Sequence, residues 1–316
     1  MGEFELIAKF FDRGPARRAE LGVGDDCALL RPPAPGTTIA VTTDMLVGGR
    51  HFLEDTDPEG LGHKTLAVNL SDLAAMGASP LAFTLAIALP SADERWLAAF
   101  ARGLFAIADR FDCELIGGDT TRGPLNLCVT AFGEVAPGAA LRRDRAEPGD
   151  DLWVSGELGG AALALHRIAE GRPPAPQDAA LRRLERPEPR VALGIALRHL
   201  ARAAIDLSDG LLGDLGHICE RSRVGAQIDW PAIPVAEGIG SLPPALRAEL
   251  VLGGGDDYEL LFTATPQNRA AIEAIGRAQS LPLARIGRVV AGAGVRVLDE
   301  RGLALSTDAR SYDHFA

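Results

Sequence analysis

Several patterns that identify common protein classes are missing from this sequence of 316 residues. No run of 18 apolar residues occurs, so we expect no segment that crosses a membrane. The N-terminal stretch MGEFELIAKFF has no basic region ahead of a long apolar core, so we expect no signal peptide. Neither a GxxxxGK[ST] loop nor an HRD-type set is present, which excludes a P-loop NTPase and argues against the common protein-kinase fold.

Cysteine and lysine are also scarce. The four cysteines form no CxxC pair and stand in apolar sequence: Cys27, Cys113, Cys128 and Cys219. We therefore predict buried free thiols in a reducing compartment, and a cytoplasmic protein. The net charge is −11, without a block of like charge, which argues against binding to nucleic acid or to a membrane surface. Nucleotides remain possible ligands if metal ions and local arginines neutralise their phosphates.

The sequence does contain the material for two globular domains. Its length exceeds that of one typical core, 47% of its residues are apolar, and helical and strand-like patterns alternate from end to end. These features predict an α/β or α+β protein. A stretch rich in proline and glycine at 136–150 separates two strand patterns, so we predict an N-terminal domain over 1–137 and a C-terminal domain over 138–316.

The segment AIDLSDGLLGDLGHI, residues 204–218, combines a short apolar strand, a polar turn and a helical pattern. Asp206 and Ser208 are two residues apart and face the same side of an extended chain. Ser208 or Asp209 could cap the helix that follows. Taken alone, the segment is better explained by a helix cap beside one solvated carboxylate.

The same arrangement recurs along the chain. Carboxylates come after apolar runs at Asp25–Asp26, at Asp44, which is expected to end a strand, and at Asp119. Asp72 lies within an apolar helical stretch over 58–77, where a carboxylate needs solvent, a partner or a cation. One acidic strand end is ordinary, but several in one chain predict a shared metal site.

The segment CELIGGDTTRG, 113–123, adds a possible phosphate site. We expect its strand to end at Gly117–Gly118, directly before Asp119. Paired glycines let backbone N–H groups approach a ligand, and the hydroxyls, carboxylate and arginine that follow suit a metal-bridged phosphate. A strained turn is the alternative explanation.

Taken together, these motifs resemble one family along nearly the whole chain. They occur in the order GVGDDCALL, TTDMLVGGRHF, NLSDLAAMGA, LIGGDTTRG, IDLSDGL, GGGDDYEL and SYDHF. This set resembles the thiamine-monophosphate kinase family. More broadly, it is similar to the superfamily of ATP-dependent enzymes that includes aminoimidazole ribonucleotide synthetase, selenophosphate synthetase and a hydrogenase-maturation dehydratase.

The resemblance implies an activity and an architecture. The family makes thiamine diphosphate from thiamine monophosphate and ATP with several Mg²⁺ ions, the last step of thiamine diphosphate biosynthesis. It implies two α/β domains with mixed sheets, an active site in the cleft between them, and a homodimer in which the N-terminal sheets close a barrel. It implies neither a nucleic-acid partner nor a membrane partner.

The resemblance also assigns site residues. Metal ligands would be Asp26, Thr43, Asp44, Asp72, Asp119, Asp206 and Asp209, with Asp119, Asp206 and Asp209 as the catalytic carboxylates. ATP contacts would be Thr42, Gly118, Asp119, Arg143 and Ser208. Thiamine monophosphate contacts would be His51, Asp256 and Tyr312. The family often has glutamate at the position of Asp256, so the shorter aspartate changes the reach of that contact.

The chemistry of the residues is consistent with this assignment. The accepting phosphate has a second pKa of about 6 and is largely anionic at neutral pH, so direct in-line attack on the γ-phosphorus needs no strong general base. Two alternatives stay open: a sibling enzyme that uses ATP on another small substrate, and a non-enzymatic scaffold that binds divalent metal. The scaffold would explain the carboxylates but not the GGDTTRG segment or Arg143.

Overall fold

The computed structural model describes residues 2–24, 27–305 and 309. Its contacts divide the chain into two compact units: unit 1 is Met1–Leu73 with Ala78–Gly138, and unit 2 is Ala74–Gly77 with Ala139–Ala316. Each unit contains its own mixed sheet, so the predicted fold class of two α/β domains with mixed sheets is confirmed. Within the described ranges, no helix is long and apolar enough to cross a membrane.

The helices are mostly short, and several begin at a side chain that accepts from their first N–H groups. Asp93, for example, accepts from the amides of Arg95 and Trp96 and so begins the third helix. The helices are α1 (Glu3–Phe10), α2 (Pro58–Ala75), α3 (Glu94–Arg110), α4 (Gly160–Ala169), α5 (Ala179–Glu185), α6 (Val191–Leu197), α7 (Leu211–Ser222), α8 (Pro244–Ala248) and α9 (Arg269–Gln279).

The strands form one four-stranded sheet, one six-stranded sheet and a small hairpin-like pair. They are β1 (Ala19–Leu21), β2 (Leu29–Leu30), β3 (Thr38–Val47), β4 (Ser79–Leu89), β5 (Glu114–Arg122), β6 (Asn126–Val135), β7 (Asp151–Ser155), β8 (Ala201–Asp206), β9 (Gly225–Asp229), β10 (Leu260–Ala264), β11 (Leu283–Val290) and β12 (Gly294–Leu298).

The sheet of unit 1 has the strand order β3-β6-β4-β5. β6 runs antiparallel to both its neighbours, whereas β4 and β5 are parallel. Along β6, buried residues such as Leu127, Val129 and Ala131 alternate with half-buried ones, so one face packs on the core and the other is open. α2 lies on the packed face, where the Leu73 side chain approaches Gly133.

Two predicted strand ends in unit 1 are wrong. β3 continues through Asp44 to Val47, because its ladder with β6 is unbroken over that stretch. β5 likewise continues past Gly118 and Asp119 to Arg122, paired with β4. Both are edge strands with one open face, so polar residues can stand inside them without being buried. Asp44 and Asp119 are therefore strand residues rather than residues of the loops that follow.

Unit 2 is built on the strand order β12-β9-β11-β7-β10-β8. Only the β12–β9 pair is parallel in this sheet; the other described neighbours are antiparallel. β7 and β10, in its interior, are buried at every residue, as expected for strands covered on both faces. β8 pairs with the buried strand β10 and forms one edge of the sheet. Its last residue is Asp206.

All four cysteines are free thiols, but they are not all buried as predicted. Cys113 and Cys219 are buried, and burial raises the pKa of Cys113 to about 12 and that of Cys219 to about 11. Cys128 is half-buried on the open face of unit 1, and Cys27 is exposed. The local apolar sequence was not enough to predict burial at Cys27, whose side chain lines a cavity.

Candidate active site

In unit 2, two motifs that are far apart in sequence lie side by side. The amide of Asp256 donates to Ser208 O at 2.9 Å, and the amide of Tyr258 donates to Leu207 O at 2.8 Å. The amide of Leu207 in turn donates to Glu259 O at 2.9 Å. The IDLSDGL and GGGDDYEL segments are thus joined by their backbones. Ser208, a predicted ATP contact, and Asp256, a predicted substrate contact, are brought together.

Glycine makes this close approach possible. A Cβ atom added at Gly255 would lie 2.3 Å from Ser208 O, and one added at Gly210 would lie 2.7 Å from Gly253 O. Gly210 also has a φ of +114°, which favours glycine. The glycine run is therefore required by backbone packing, whatever it does for a ligand.

Asp214 organises the turn that carries Ser208 and Asp209. One of its oxygens, Oδ2, accepts from the amides of Ser208, Asp209 and Gly210 at 3.1, 3.2 and 3.1 Å. α7 starts after Gly210 without a side-chain cap, so the predicted cap by Ser208 or Asp209 is wrong. The sequence reasoning missed Asp214; a carboxylate in the first turn of the helix was the available signal.

Three carboxyl groups lie close together at this turn. Asp214 is 2% exposed, and burial raises the pKa of its carboxyl to about 7, with the nearby charges of Asp206 and Asp209 adding to the rise. Asp206 is itself only 4% exposed at the end of β8. Negative charge therefore accumulates at this strand end, where a cation would be stabilised.

Replacing Asp214 by alanine should disrupt the turn. Three backbone N–H groups would lose their acceptor, and we expect kcat to fall about 100-fold, the scale of effect produced by a misplaced site. Glu220→Ala, an exposed position on the same helix, is the matched control and should leave kcat unchanged. Steady-state kinetics measures both variants. An Asp214→Ala variant with the wild-type kcat would show that the turn does not depend on this carboxylate.

Arg143 is not beside Ser208 in unit 2. Its carbonyl accepts from Ser222 Oγ at 2.7 Å, and Ser222 ends α7. The 12 residues of α7 span about 18 Å, so the backbone of Arg143 lies at the far end of the helix from the turn at Ser208. Its role as an ATP contact stays a prediction.

In unit 1, β3 presents its predicted ligands to α2 on one face. Thr42 Oγ1 donates to Asp72 Oδ2, and the amide of Asp44 donates to Asn69 Oδ1 at 3.2 Å. Asp72 and Asn69 are three residues apart on α2 and so share the helix surface that meets the strand. The structure thus brings together Thr42, Asp44 and Asp72.

Thr43 and Asp119 belong to the open face of the same sheet. Thr43 Oγ1 and Thr130 Oγ1 are 2.9 Å apart on this face. Asp119 pairs with Ala86, Ala86 with Cys128, and Cys128 with Met45, so these four residues form one row across the sheet. Met45 is 53% exposed, which shows that this face is open. Beside Asp119, a cavity of about 730 Å³ is lined by residues of α1, by the glycines of 22–24 and by Gly117–Thr120.

Only glycine fits at position 118, because the neighbouring strand β4 lies too close for a side chain. Gly118 has a φ of +153°, and a Cβ atom there would lie 1.8 Å from Leu85 O. The predicted ATP contact at this position therefore has to be made by the backbone, next to the cavity that Asp119 also lines.

Asp44 and Asp119 do not share a site within this sheet. They lie on opposite edge strands, three inter-strand spacings or about 14 Å apart, and on opposite faces. Among residues 2–24, 27–305 and 309, no group of three or more His, Cys, Asp or Glu side chains is placed to hold a metal ion. The single metal cluster therefore stays a prediction.

His51 is half-buried and held by its neighbours. The amide of Val47 donates to His51 Nδ1 at 3.0 Å, and Lys64 Nζ donates to His51 O at 3.4 Å. An Nδ1 atom that accepts carries no proton, so the neutral ring has its proton on Nε2. Asp26 and Tyr312, also predicted as site residues, lie outside the described residues.

Known proteins match this chain over its whole length. The family model for the N-terminal domain of AIR synthase related protein matches residues 24–135 of this chain. The model for the C-terminal domain of the same family matches residues 147–300. Thiamine-monophosphate kinase of Escherichia coli K12 is 45% identical over 324 residues, covering 100% of this chain and 98% of that protein. The chain belongs to the thiamine-monophosphate kinase family. The resemblance inferred from the motifs is confirmed.

Solved structures of thiamine-monophosphate kinases have the same fold. The crystal structure of thiamine-monophosphate kinase from Stenotrophomonas maltophilia K279a is 49% identical, with a TM-score of 0.85 and 96% of both chains covered. AaThiL complexed with AMPPCP and TMP is 28% identical, with a TM-score of 0.76 and 90% of both chains covered.

Proposed function

We propose that this chain transfers the γ-phosphoryl group of ATP to the phosphate of thiamine monophosphate, giving thiamine diphosphate. The hydrogen bond from the Asp256 amide to Ser208 O is the observation that carries the proposal, because it joins a predicted substrate contact to a predicted ATP contact. The full-length similarity to a thiamine-monophosphate kinase supports it. So does the relative complexed with AMPPCP and TMP.

In unit 2, the residues of the two joined segments bind and orient the substrates. Ser208 contacts the nucleotide, and Asp256 contacts thiamine monophosphate. The turn at Ser208 is fixed by Asp214 and by the backbone of the neighbouring segment, so neither contact has to be ordered when substrates bind. Arg143 contributes positive charge to ATP, and Tyr312 completes the substrate contact.

In unit 1, Gly118 and Thr42 contact ATP, and His51 contacts thiamine monophosphate. The Nε2–H group of His51 is a donor suited to an anionic or carbonyl-like acceptor on the substrate. Gly118 approaches the ligand through its backbone, beside the cavity of about 730 Å³. That cavity is large enough for part of a nucleotide or a substrate.

The residues present fit Mg²⁺ as the cofactor. Their donors are hard oxygens, and the pKa of Asp214, raised mainly by burial, is raised further by the negative charges of Asp206 and Asp209, which a divalent cation would offset. When bound, the ions would neutralise phosphate charge during transfer. The residues that would hold them are Asp26, Thr43, Asp44, Asp72, Asp119, Asp206 and Asp209, with Asp119, Asp206 and Asp209 as the catalytic carboxylates.

The transfer proceeds in line, directly between the two substrates. The phosphate of thiamine monophosphate is largely anionic at neutral pH, so the chain need only orient it and exclude competing water. The side chains named above have binding and positioning roles, and none is needed to remove a proton from the attacking oxygen.

The working protein is a homodimer paired through the open face and edges of the unit 1 sheet. On that face, Val41 is 59% exposed and Met45 53% exposed, although both are large apolar residues of β3. A second copy that covers this face would remove both from water. It would also place a further edge strand beside Asp44 or Asp119.

The replacement Met45→Lys should weaken the dimer. A charge in an apolar interface costs more than the methionine contact that it replaces, so the dissociation constant should rise at least about tenfold. Analytical ultracentrifugation over a concentration series measures the shift towards monomer. Leu303→Lys, another exposed apolar residue at 60% exposure, is the matched control. Equal dissociation constants for Met45→Lys and wild type would place the interface elsewhere.

A coupled assay of ADP release tests the proposed function. With ATP and Mg²⁺, ADP should appear when thiamine monophosphate is added, and thiamine diphosphate should form in equal amount. Thiamine itself is the control acceptor and should give no ADP, because it lacks the attacking phosphate. ADP release that is the same with and without thiamine monophosphate would contradict the proposal.

A further inference from the structure

Asp257 follows the proposed substrate contact Asp256 directly, but its side chain is anchored elsewhere. Both carboxyl oxygens accept from the amide of Gly159, at 3.1 and 3.0 Å. Gly159 is the residue before α4 and has a left-handed backbone with a φ of +84°. The first N–H groups of a helix have no partner within the helix, and the Asp257 carboxyl group supplies an acceptor for one of them. Asp257 thus ties its loop to the start of α4.

Glu259, two residues further on, anchors the same segment from the same side. Its oxygens accept from Arg190 Nε at 2.6 Å and Arg190 Nη2 at 2.5 Å, and Oε2 also accepts from Ser155 Oγ at 2.6 Å. The carboxylate is nearly inaccessible to solvent, and its charge is matched by that of the arginine. The side chains of Asp257 and Glu259, two residues apart, therefore fix this loop to other elements of unit 2.

The backbone amides of the alternate residues Asp256 and Tyr258 make the other contacts of this loop. Asp256 and Tyr258 donate to Ser208 O and Leu207 O, so side-chain anchors alternate with backbone contacts to the turn. Both residues have positive φ, +65° for Asp256 and +49° for Tyr258. Such conformations are unfavourable for side chains with a Cβ, and for tyrosine above all, and they persist only where surrounding contacts impose them.

We propose that Asp257 is a positioning residue for the transfer reaction: by holding its loop on Gly159, it fixes the backbone of Asp256 against Ser208 and so places the Asp256 carboxylate for thiamine monophosphate. The inference rests on the proposed function, since it assigns the placement of a substrate contact. Asp257 itself touches neither substrate. Its effect is exerted through Asp256 and falls mainly on thiamine monophosphate, because Asp214 independently holds the Ser208 turn that contacts ATP.

The environment of Asp257 is consistent with an anchor. Loss of water around the carboxyl is the main cause that raises its pKa to about 8; the charges of Glu259 and Asp256 contribute to the rise, and the Gly159 amide and Arg183 oppose it. A neutral amide at this position therefore carries no charge penalty. Asp257→Asn keeps an oxygen for the Gly159 amide and is the conservative variant.

The test is the separation of the two KM values. For Asp257→Ala we expect KM for thiamine monophosphate to rise about tenfold or more, while KM for ATP stays within about twofold of wild type. Asp257→Asn should restore KM for thiamine monophosphate to near the wild-type value. Asp257→Ser, which keeps polarity but cannot reach Gly159, should behave as the alanine variant and serves if that variant does not fold.

Asp178→Ala is the matched control for the loss of a helix cap. Asp178 accepts from the amide of Ala180 at the start of α5, as Asp257 accepts at the start of α4, but it is not part of the loop. Its removal should leave both KM values unchanged. In addition, Asp256→Ala with Asp257→Ala should be no worse than Asp256→Ala alone, because one residue acts through the other.

Hydrogen exchange gives a readout that does not depend on activity. The amides of Asp256 and Tyr258 should exchange about tenfold faster in Asp257→Ala and at the wild-type rate in Asp178→Ala. A wild-type chain without thiamine monophosphate kinase activity would refute the proposed function, and exchange would still test the anchor. Wild-type KM for thiamine monophosphate together with wild-type exchange in Asp257→Ala would overturn the proposal.

Discussion

The variant Asp206→Asn is expected to lose turnover and to keep its fold. The amide has the shape of the carboxylate and leaves the pairing of β8 with β10 unchanged, but it cannot supply the charge that a metal ion needs. We expect kcat to fall by roughly 10³-fold, the scale that follows when one charge-stabilising group is removed from an active site. Asp119→Asn should have a similar effect from the edge strand of unit 1.

Although Asp206→Asn should lower kcat, it should not lower the thermal stability of the protein. Burial is the main cause of the raised pKa of Asp214, and the charge of Asp206 adds to it, so removing that charge relieves part of the repulsion at the strand end. The melting temperature, measured without metal or nucleotide, should therefore equal or exceed that of wild type. A site that is less stable than its inactive variant is typical of groups retained for function rather than for folding.

Asp229→Asn is the matched control for Asp206→Asn. Asp229 is also the last residue of a strand in the same sheet, but it is exposed. Its replacement should change neither kcat nor melting temperature. A wild-type kcat in Asp206→Asn or in Asp119→Asn would be incompatible with the role that we assign to these carboxylates.

The largest effect on stability is expected from Gly103→Ala. A Cβ atom at Gly103 of α3 would lie 1.8 Å from Glu59 O of α2, and one at Gly62 of α2 would lie 2.0 Å from Phe100 O of α3. The two helices are thus in backbone contact at both glycines, and an added methyl group has to push them apart. We expect the free energy of unfolding to fall by about 3 kcal/mol. Chemical denaturation measures it.

Gly216→Ala is the control that separates crowding from helix propensity. Gly216 also lies inside a helix, α7, but nothing stands within 4 Å of a Cβ added there. Alanine is the better helix former, so this variant should gain roughly 0.5–1 kcal/mol. If Gly103→Ala were as stable as wild type, the close contact of α2 and α3 would be refuted.

The sequence was most informative where one apolar pattern decides one element. α2 was predicted over 58–77 and is found at Pro58–Ala75. Local periodicity is enough in such cases because the element's own apolar residues determine which of its faces packs on the core. The fold class followed from the alternation of these patterns.

Pairing between strands could not be derived in the same way. Asp44 and Asp119 were both placed at strand ends, yet both lie within edge strands and on opposite faces of one sheet. Register decides these faces, and register depends on a partner strand that is distant in sequence. The same holds for Asp214 and Asp257, whose roles follow from the amides that they meet and not from their own neighbours.

The fate of the γ-phosphoryl group tests the central claim most directly. ATP labelled with an oxygen isotope in that group, incubated with the protein, Mg²⁺ and thiamine monophosphate, should give thiamine diphosphate with the label in its terminal phosphoryl group, as read by mass spectrometry. The protein itself should carry no label when quenched during turnover. Unlabelled thiamine diphosphate, or label held covalently on the protein, would contradict direct transfer between the two substrates.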